Sequence, residues 1–306
     1  MFCVDLRARV GPPPDEAAVS ALAALPCPTL ALHRGEPPAQ WQRWLDRFDV
    51  VLDDEAALGR VTDRVRRWPL ASQALVQLLR QGEALSLTQA ILAESWVYST
   101  LQAGPEFSSW RAGRGAPPGL APNTEPAVRS ERFGSTLVLE LNRPQKHNAF
   151  STEIRDALVE ALRIACADPG VEAVRVCGRG PSFCSGGDLD EFGTLPDPAT
   201  AHAVRSTRNA AALIHALGAR VRFEVHGACI GAGVELPAFS QRVVAREGAF
   251  FELPELSLGL VPGAGGTASL PRRVGRQRTA WLALSGERID ARTALAWGLV
   301  DEIASA

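Results

Sequence analysis

In the second half of this chain, apolar residues switch repeatedly between two periods. Thr136 to Leu141 alternates apolar and polar residues, which predicts a strand with one buried face. A helix is then predicted from Ser151, a favourable N-cap, to the breaker Asp168-Pro169-Gly170. Further strands are predicted near 171–176, 221–225 and 242–245, and further helices near 277–284 and 290–297. Strands that alternate with helices predict an α/β domain.

A segment rich in proline and glycine, Arg114 to Pro126, precedes this domain and is predicted to be a linker. We therefore divide the chain into a mainly helical N-terminal domain, 1–125, and a second domain, 126–306. Between Glu55 and Trp110, the spacing of apolar residues predicts amphipathic helices; these residues are Leu75, Leu78, Leu79, Leu87, Ile91, Trp96 and Leu101. Phe2 to Leu6 and Thr29 to Leu32 are candidate strands.

Composition and simple sequence patterns limit the classes of protein to which the chain can belong. Of 306 residues, 46% are hydrophobic, so the chain can bury a large core, and the formal net charge of -2 does not favour nucleic acid or anionic lipid as a partner. The N-terminus lacks a signal-peptide pattern and no apolar run is long enough to span a membrane, so we expect a cytoplasmic protein. The six scattered cysteines do not indicate a zinc site or a disulfide framework. No metal, flavin or nicotinamide motif is recognised, and no cofactor is expected.

Two glycine clusters could bring backbone amides close to a ligand. The first is Cys184-Ser185-Gly186-Gly187-Asp188, in which Asp188 is also placed to cap a following helix. The second is Gly231-Ala232-Gly233, shortly before Glu235. An oxyanion would be stabilised by such amides, particularly if a helix begins there. Taken singly, a glycine cluster of this kind is more often a tight turn than a binding site.

Four motifs in a fixed order make the stronger case. They are Leu-Asn-Arg-Pro-Gln-Lys-His-Asn-Ala-Phe-Ser (141–151), Ser-Phe-Cys-Ser-Gly-Gly-Asp-Leu (182–189), Val-His-Gly-Ala-Cys-Ile-Gly-Ala-Gly-Val-Glu-Leu (225–236) and Leu-Pro-Glu-Leu-Ser-Leu-Gly-Leu-Val-Pro-Gly-Ala-Gly-Gly-Thr (253–267). Together they resemble the crotonase, or enoyl-CoA hydratase/isomerase, superfamily from about Val128 to Ile303. The resemblance implies an α/β fold with a crotonase-like ββα spiral core.

The resemblance also implies a site. Gly187 and Ala232 would supply the two oxyanion-hole amides, Glu235 would orient a water, and Glu255 would exchange a proton with Cα. Coenzyme A, as part of the substrate, would be held by neighbouring residues of the first two motifs: Lys146, Asn148, Ala149, Ser185, Gly186, Asp188 and Leu189. For Lys146 and Arg143, an exposed basic pair at a turn is an equally good explanation.

The chain also departs from the family pattern. It ends at Ala306, so we expect the usual C-terminal helices to be absent, and the segment Glu94 to Phe107 is similar to the N-terminal helical domain of the dihydroxyphenylacetyl-CoA dioxygenase branch. That branch has glutamine and alanine where this chain has Glu235 and Glu255, which argues against dioxygenase chemistry. We therefore predict a lyase that adds water to an α,β-unsaturated acyl-CoA.

Several alternatives remain open at this stage. They are an enoyl-CoA isomerase that uses Glu255 alone, a dioxygenase-like enzyme, and a noncatalytic acyl-CoA-binding or assembly protein. The family also implies a homo-oligomer, either a trimer or a hexamer.

Overall fold

The computed structural model describes residues 1–7, 15–35, 39–115 and 124–305, with only the backbone for 39 and 40. Most of the predicted linker, residues 116–123, therefore lies outside the described part. The N-terminal elements are β1 (Phe2–Asp5), α1 (Glu16–Ala24), β2 (Thr29–Leu32), α2 (Ala39–Leu45), β3 (Val50–Leu52), α3 (Glu55–Arg67), α4 (Pro69–Gly82), α5 (Leu87–Gln102) and α6 (Pro105–Ala112).

Three short parallel strands open the fold. They lie in the order β1-β2-β3, and β2 is buried along its whole length. Both strands predicted in this region are present, and β3 was not predicted. A strand as short as Val-Val-Leu has no alternation long enough to recognise, and its burial between the sheet and the helices is decided by tertiary packing.

The helices predicted between residues 55 and 110 are confirmed as α3 to α6. In α4, Leu75, Leu78 and Leu79 are buried as their spacing predicts. In α5, however, Trp96 is 56% exposed, and the buried side of the helix carries Glu94 and Tyr98. The packed face of this helix therefore combines polar side chains with the apolar Ala90 and Leu101.

The second part of the chain alternates strands and helices. Its elements are β4 (Val128–Phe133), β5 (Thr136–Leu141), α7 (Thr152–Ala167), β6 (Ala173–Gly178), α8 (Pro198–Thr207), α9 (Ala210–Leu217), β7 (Val221–Val225), β8 (Ala228–Ile230), α10 (Ala232–Glu235), β9 (Arg242–Arg246), β10 (Phe250–Glu252), α11 (Gly266–Val274), α12 (Arg276–Ser285), β11 (Ile289–Asp290), α13 (Ala291–Trp297) and β12 (Glu302–Ala304). Short 3-10 turns occupy Pro144–Lys146, Gly218–Arg220, Pro237–Phe239 and Glu255–Leu258.

Two sheets organise this part. The larger has the order β12-β9-β7-β6-β5-β4 and is parallel except between β4 and β5, and the smaller has the order β11-β10-β8. The predicted bounds of β5 and β7 are confirmed, and Ser151 caps α7 by accepting a hydrogen bond from Ile154 N. The predicted α/β fold class is thus confirmed.

Both parts of the chain share one hydrophobic cluster, which runs from Leu30 in β2 to Val300 near the end. A buried ion cluster adds to this connection. Asp49, beside β3, is 1% exposed and accepts hydrogen bonds from Arg80 of α4 (2.5 Å) and Arg276 of α12 (3.1 Å). The N-terminal helices are therefore packed directly against the second part. No helix among the described residues is both long and apolar enough to cross a membrane.

Candidate active site

The second and third motifs lie side by side. Isolated parallel bridges pair Cys184 with Cys229 and Phe150 with Gly187, which aligns the two glycine clusters. The turn into α10 passes through Gly231 at φ +50°, and a Cβ at this position would clash with Glu255 Oε1. Glycine is needed there both for the backbone conformation and for the close approach of the glutamate.

Gly187 and Ala232 line the same cavity, which has a volume of about 320 Å³. Within the described part of the chain, neither amide donates to a protein acceptor. A helix begins at Ala232, so its amide is one of the N-terminal donors that a helix leaves unsatisfied. Two unpaired donors at one cavity wall can stabilise a developing oxyanion.

Asp188 follows Gly187 and is mostly buried. It does not cap a helix as predicted, because the chain continues as turns and α8 begins ten residues later, at Pro198. Its Oδ1 instead accepts from Asp190 N, and its Oδ2 accepts from Lys146 Nζ at 2.7 Å. Burial lowers the pKa of Lys146, but the hydrogen bonds that it donates to Asp188 and Asp190 outweigh this and raise the pKa overall. The lysine ammonium thus joins the first motif to the second.

The remaining residues predicted to hold coenzyme A form a hydrogen-bonded layer beside this wall. Asn148 is fully buried and its side chain bonds backbone groups of Arg143, Arg179 and Ser182. The backbone bonds Ser185 N to His147 O and Phe150 N to Gly186 O complete the layer. Of the four other residues in this set, Ala149 and Ser185 are partly buried, Gly186 is buried, and Leu189 is exposed. Among the residues described, Asp188 is the only one of the seven that lines the cavity.

Glu235 lies at the end of α10 and is 2% exposed. Its Oε2 accepts hydrogen bonds from Ala264 N (2.7 Å) and Gly266 N (2.8 Å), at the start of α11. Burial raises the pKa of Glu235 to about 7, although these amides oppose the shift. At neutral pH this carboxyl group can therefore exist in either protonation state.

Glu255 lines the same cavity but has a different environment. Its Oε2 is buried and has no hydrogen-bond partner among the described residues. Burial, followed by repulsion from Glu235, raises the pKa of Glu255 well above its ordinary value. The nearby acid Glu252 is ion-paired with Arg288 at 2.7 Å. The structure thus brings Gly187, Ala232, Glu235 and Glu255 to one cavity.

The N-terminal helix α5 supplies two titratable groups that the sequence motifs did not indicate. Glu94 is 2% exposed and Tyr98 is buried, and both line the cavity. Burial, followed by repulsion from Glu235, raises the pKa of Glu94 to about 8. Ala90, Glu94, Tyr98 and Leu101 recur at helical spacing, so an acid on a buried helix face was the available signal.

Helix α8 and the loop before it also line the cavity. Arg205 of α8 lies with its guanidinium 4.6 Å from the centre of the Tyr98 ring and donates to Ser95 Oγ and Ser99 Oγ. Helices α5 and α8 are therefore joined to each other beside the cavity. Other lining residues from the N-terminal part are Ile91, Gln102, Phe107 and Arg111.

Known proteins share this arrangement over the second part of the chain. A family model described as enoyl-CoA hydratase/isomerase matches residues 131–306. The 2,3-dehydroadipyl-CoA hydratase of Escherichia coli (strain K12) is 37% identical over 167 residues, which cover 55% of this chain and 65% of the relative. The 1,2-epoxyphenylacetyl-CoA isomerase of the same organism is 33% identical over 171 residues, which cover 55% and 62%. The chain thus spans slightly less than two thirds of each of these relatives.

Solved structures agree with the sequence comparisons. An enoyl-CoA hydratase from Mycobacterium smegmatis superposes with a TM-score of 0.55 and 33% identity, covering 59% of this chain and 71% of that one. An enoyl-CoA hydratase from Thermoplasma volcanium GSS1 gives a TM-score of 0.55, 33% identity and coverage of 59% and 72%. The ordered motifs, the fold and these matches show that the chain belongs to the enoyl-CoA hydratase/isomerase family of the crotonase superfamily.

Proposed function

We propose that this protein is an enoyl-CoA hydratase that adds water to the double bond of an α,β-unsaturated acyl-CoA. The observation that carries the proposal is the pair Glu235 and Glu255, two acids with unequal environments at one cavity. Such a difference separates the pKa values of two carboxyl groups and gives them opposite roles in proton transfer. One acid can then be a base at the pH at which the other is still protonated.

In the proposed reaction, the thioester oxygen accepts hydrogen bonds from the amides of Gly187 and Ala232. When water attacks Cβ, the electrons of the C=C bond move toward the thioester, and negative charge develops on this oxygen. Donors that are fixed before the reaction stabilise this charge more in the transition state than in the ground state. The carbonyl polarisation needs no residue other than the two backbone amides.

The glutamates complete the addition. Glu235, whose ionised form is stabilised by two amides, takes a proton from the attacking water, and Glu255, whose pKa is raised well above the ordinary value, donates a proton to Cα. The product gains one hydrogen and one hydroxyl group, and proton exchange between the two acids and solvent restores the starting state. The reaction requires Glu235 ionised and Glu255 protonated at the same time.

The proposal also assigns positions to the CoA moiety and the acyl group of the substrate. We place the CoA moiety beside Lys146, Asn148, Ala149, Ser185, Gly186, Asp188 and Leu189, and the acyl group in the cavity that α5 lines. Hydration is the activity in the printed name of the 2,3-dehydroadipyl-CoA hydratase, a relative at 37% identity. We also propose a homo-oligomer, which light scattering would test directly.

The test is turnover of crotonyl-CoA and of longer and aromatic enoyl-CoA esters, followed by loss of absorbance of the conjugated thioester. General acid or base catalysis contributes roughly 10²- to 10⁴-fold, so Glu235→Gln and Glu255→Gln should each lower kcat by at least about 100-fold. Glu131→Gln, at an exposed position on β4, is the matched control and should leave kcat unchanged. Wild-type protein that binds CoA esters but turns over none of them would refute hydratase activity.

A second candidate is an enoyl-CoA isomerase, favoured by the unpartnered Oε2 of Glu255. A single carboxyl group can remove a proton at Cα and return it at the far end of the allylic system. The 1,2-epoxyphenylacetyl-CoA isomerase is a relative at 33% identity. With 3-enoyl-CoA substrates, an isomerase would keep most of its activity in Glu235→Gln and lose it in Glu255→Gln, whereas a hydratase loses activity in both.

A further inference from the structure

Four consecutive amides at the start of α11 alternate between two buried glutamates. Ala264 N and Gly266 N donate to Glu235 Oε2, at 2.7 and 2.8 Å. Gly265 N donates to Glu94 Oε1 at 2.7 Å and Thr267 N to Glu94 Oε2 at 2.8 Å. The Thr267 hydroxyl adds a third bond to Glu94, at 2.7 Å. The two acids thus accept hydrogen bonds from alternate amides of one turn.

This turn has no capping side chain of its own. Its N-cap residue is Gly265, at φ +104°, which offers no acceptor to the first amides of α11. Unsatisfied amides at a buried helix end are costly, so acceptors must come from elsewhere in the fold. Glu235 and Glu94 supply them from α10 and α5, and α5 packs against α11 along this stretch.

We propose that Glu94, contributed by the N-terminal helix α5, is the positioning residue for Glu235. By holding the amides of Gly265 and Thr267, Glu94 fixes the turn so that the amides of Ala264 and Gly266 converge on Glu235 Oε2. In the proposed reaction, Glu235 Oε1 is then the oxygen that we assign to the attacking water. The inference rests on the proposed function for its catalytic consequence, but the positioning itself is independent of the reaction.

Above its pKa of about 8, Glu94 also influences the site by its charge. The groups that face it are Glu235 from α10, Glu255 from the turn at Glu255–Leu258, Tyr98 on α5 itself and Arg205 from α8. Repulsion from Glu94 contributes to the raised pKa of Glu255, after the larger effects of burial and Glu235. Removing the charge at position 94 should therefore lower the pH at which Glu255 loses its proton.

The kinetic test compares Glu94→Gln with a graded pair of substitutions at its hydrogen-bond partner, Thr267. A glutamine cannot accept from both amides, because its NH2 group would oppose one N–H donor. Misplacement of a catalytic group by about 1 Å can cost about 100-fold, so kcat of Glu94→Gln should fall by roughly 10- to 100-fold while KM changes by less than about threefold. The alkaline limb of its pH profile should move to lower pH.

The graded pair keeps the test informative if Glu94→Gln fails to fold. Thr267→Val removes only the hydroxyl bond to Glu94, and Thr267→Ser keeps it. We expect a smaller fall in kcat for Thr267→Val than for Glu94→Gln, with most of the activity recovered in Thr267→Ser. Equal activity of Thr267→Val, Thr267→Ser and wild type would overturn the proposal.

Site-resolved amide hydrogen exchange provides a measurement that does not depend on turnover. In Glu94→Gln, protection should fall not only at Gly265 and Thr267 but also at Ala264 and Gly266, with no change in Glu131→Gln. If Ala264 and Gly266 stay fully protected, Glu94 does not position Glu235. If protection falls as expected but no enoyl-CoA is hydrated, the positioning stands and the hydratase proposal fails.

Discussion

The two walls of the cavity have different origins in the chain. One wall carries Gly187 and Ala232 and comes from segments of the family motifs. The other is α5, which precedes the matched region 131–306 and contributes Glu94 and Tyr98. The first wall presents backbone donors, whereas the second presents buried side chains, so the two walls respond differently to substitution.

The comparison shows why the acids in this cavity differ. Glu235 and Glu94 each accept two amides from the same helix start, where the positive end of the helix dipole favours an anion. Glu255 faces them without a partner for Oε2 among the described residues. The proton affinities of these acids thus depend both on the wall that carries the family motifs and on α5, which carries none of them.

The largest effect is expected on the first wall. Ala232→Pro removes the proposed oxyanion donor, and because residue 232 is the first of α10, a proline is tolerated there. Loss of one such donor costs about 3 kcal/mol of transition-state stabilisation, so kcat should fall by roughly 100- to 1000-fold. Single-turnover kinetics with an enoyl-CoA measures the change. Ala232→Gly keeps the N–H and is the matched control; an equal loss in both variants would contradict the role of the amide.

An intermediate effect is expected where α5 contacts the loop of the fourth motif, 253–267. A Cβ at Gly263 would overlap the ring of Tyr98 on α5, so Gly263→Ala should push the helix outward. Overpacking typically costs about 1–3 kcal/mol of unfolding free energy, measured by denaturant titration. The double variant with Tyr98→Ala should recover part of this loss. Simple additivity of the two substitutions would show that α5 does not pack as described.

The smallest effect is expected in the change of the free energy of unfolding with pH. Burial raises the pKa of Glu94 to about 8 and that of Glu235 to about 7, from an ordinary value of 4.5. The folded protein therefore binds these protons more tightly than the unfolded chain does. This stabilisation is complete below pH 4.5 and is lost as pH rises through 7 and 8. The slope should not exceed about 1.4 kcal/mol per pH unit for each group.

Chemical denaturation at several pH values between 5 and 8 measures this slope. Glu94→Gln should show a shallower decline than wild type, because one of the two carboxyl groups no longer ionises in the buried site. Glu131→Gln removes an exposed acid and should follow the wild-type curve. A wild-type protein that gains stability between pH 5 and 8 would contradict the proton binding described here.

Much of the second part could be predicted because its signals are local. The alternation of Leu137, Leu139 and Leu141 marks β5, and Ser151 marks the start of α7. The identity of the family followed from four motifs in order. The capping role predicted for Asp188 was wrong. Its carboxylate accepts a hydrogen bond from Asp190 N in a turn, and no helix starts directly after this turn.

The face of α5 could not be predicted in the same way. Trp96 fitted an apolar stripe but is exposed, whereas Glu94 interrupts the stripe and is buried. An acid is ordinarily assigned to solvent because burying its charge is costly. Here the amides of Gly265 and Thr267, which lie more than 170 residues further along the chain, satisfy the carboxyl group. The residues around Glu94 in the sequence form no pattern from which these distant partners could be predicted.

The sequence by itself therefore determined the α/β class, most of the strands and helices, and membership of the crotonase superfamily, since these depend on short-range periodicity and on motifs contiguous in the chain. Tertiary structure alone decided that α5 closes the cavity, that Lys146 pairs with Asp188, and that three glutamates share one buried region. Burial and hydrogen-bond partners are properties of residues distant in sequence, and they set the proton affinities on which the proposed chemistry depends.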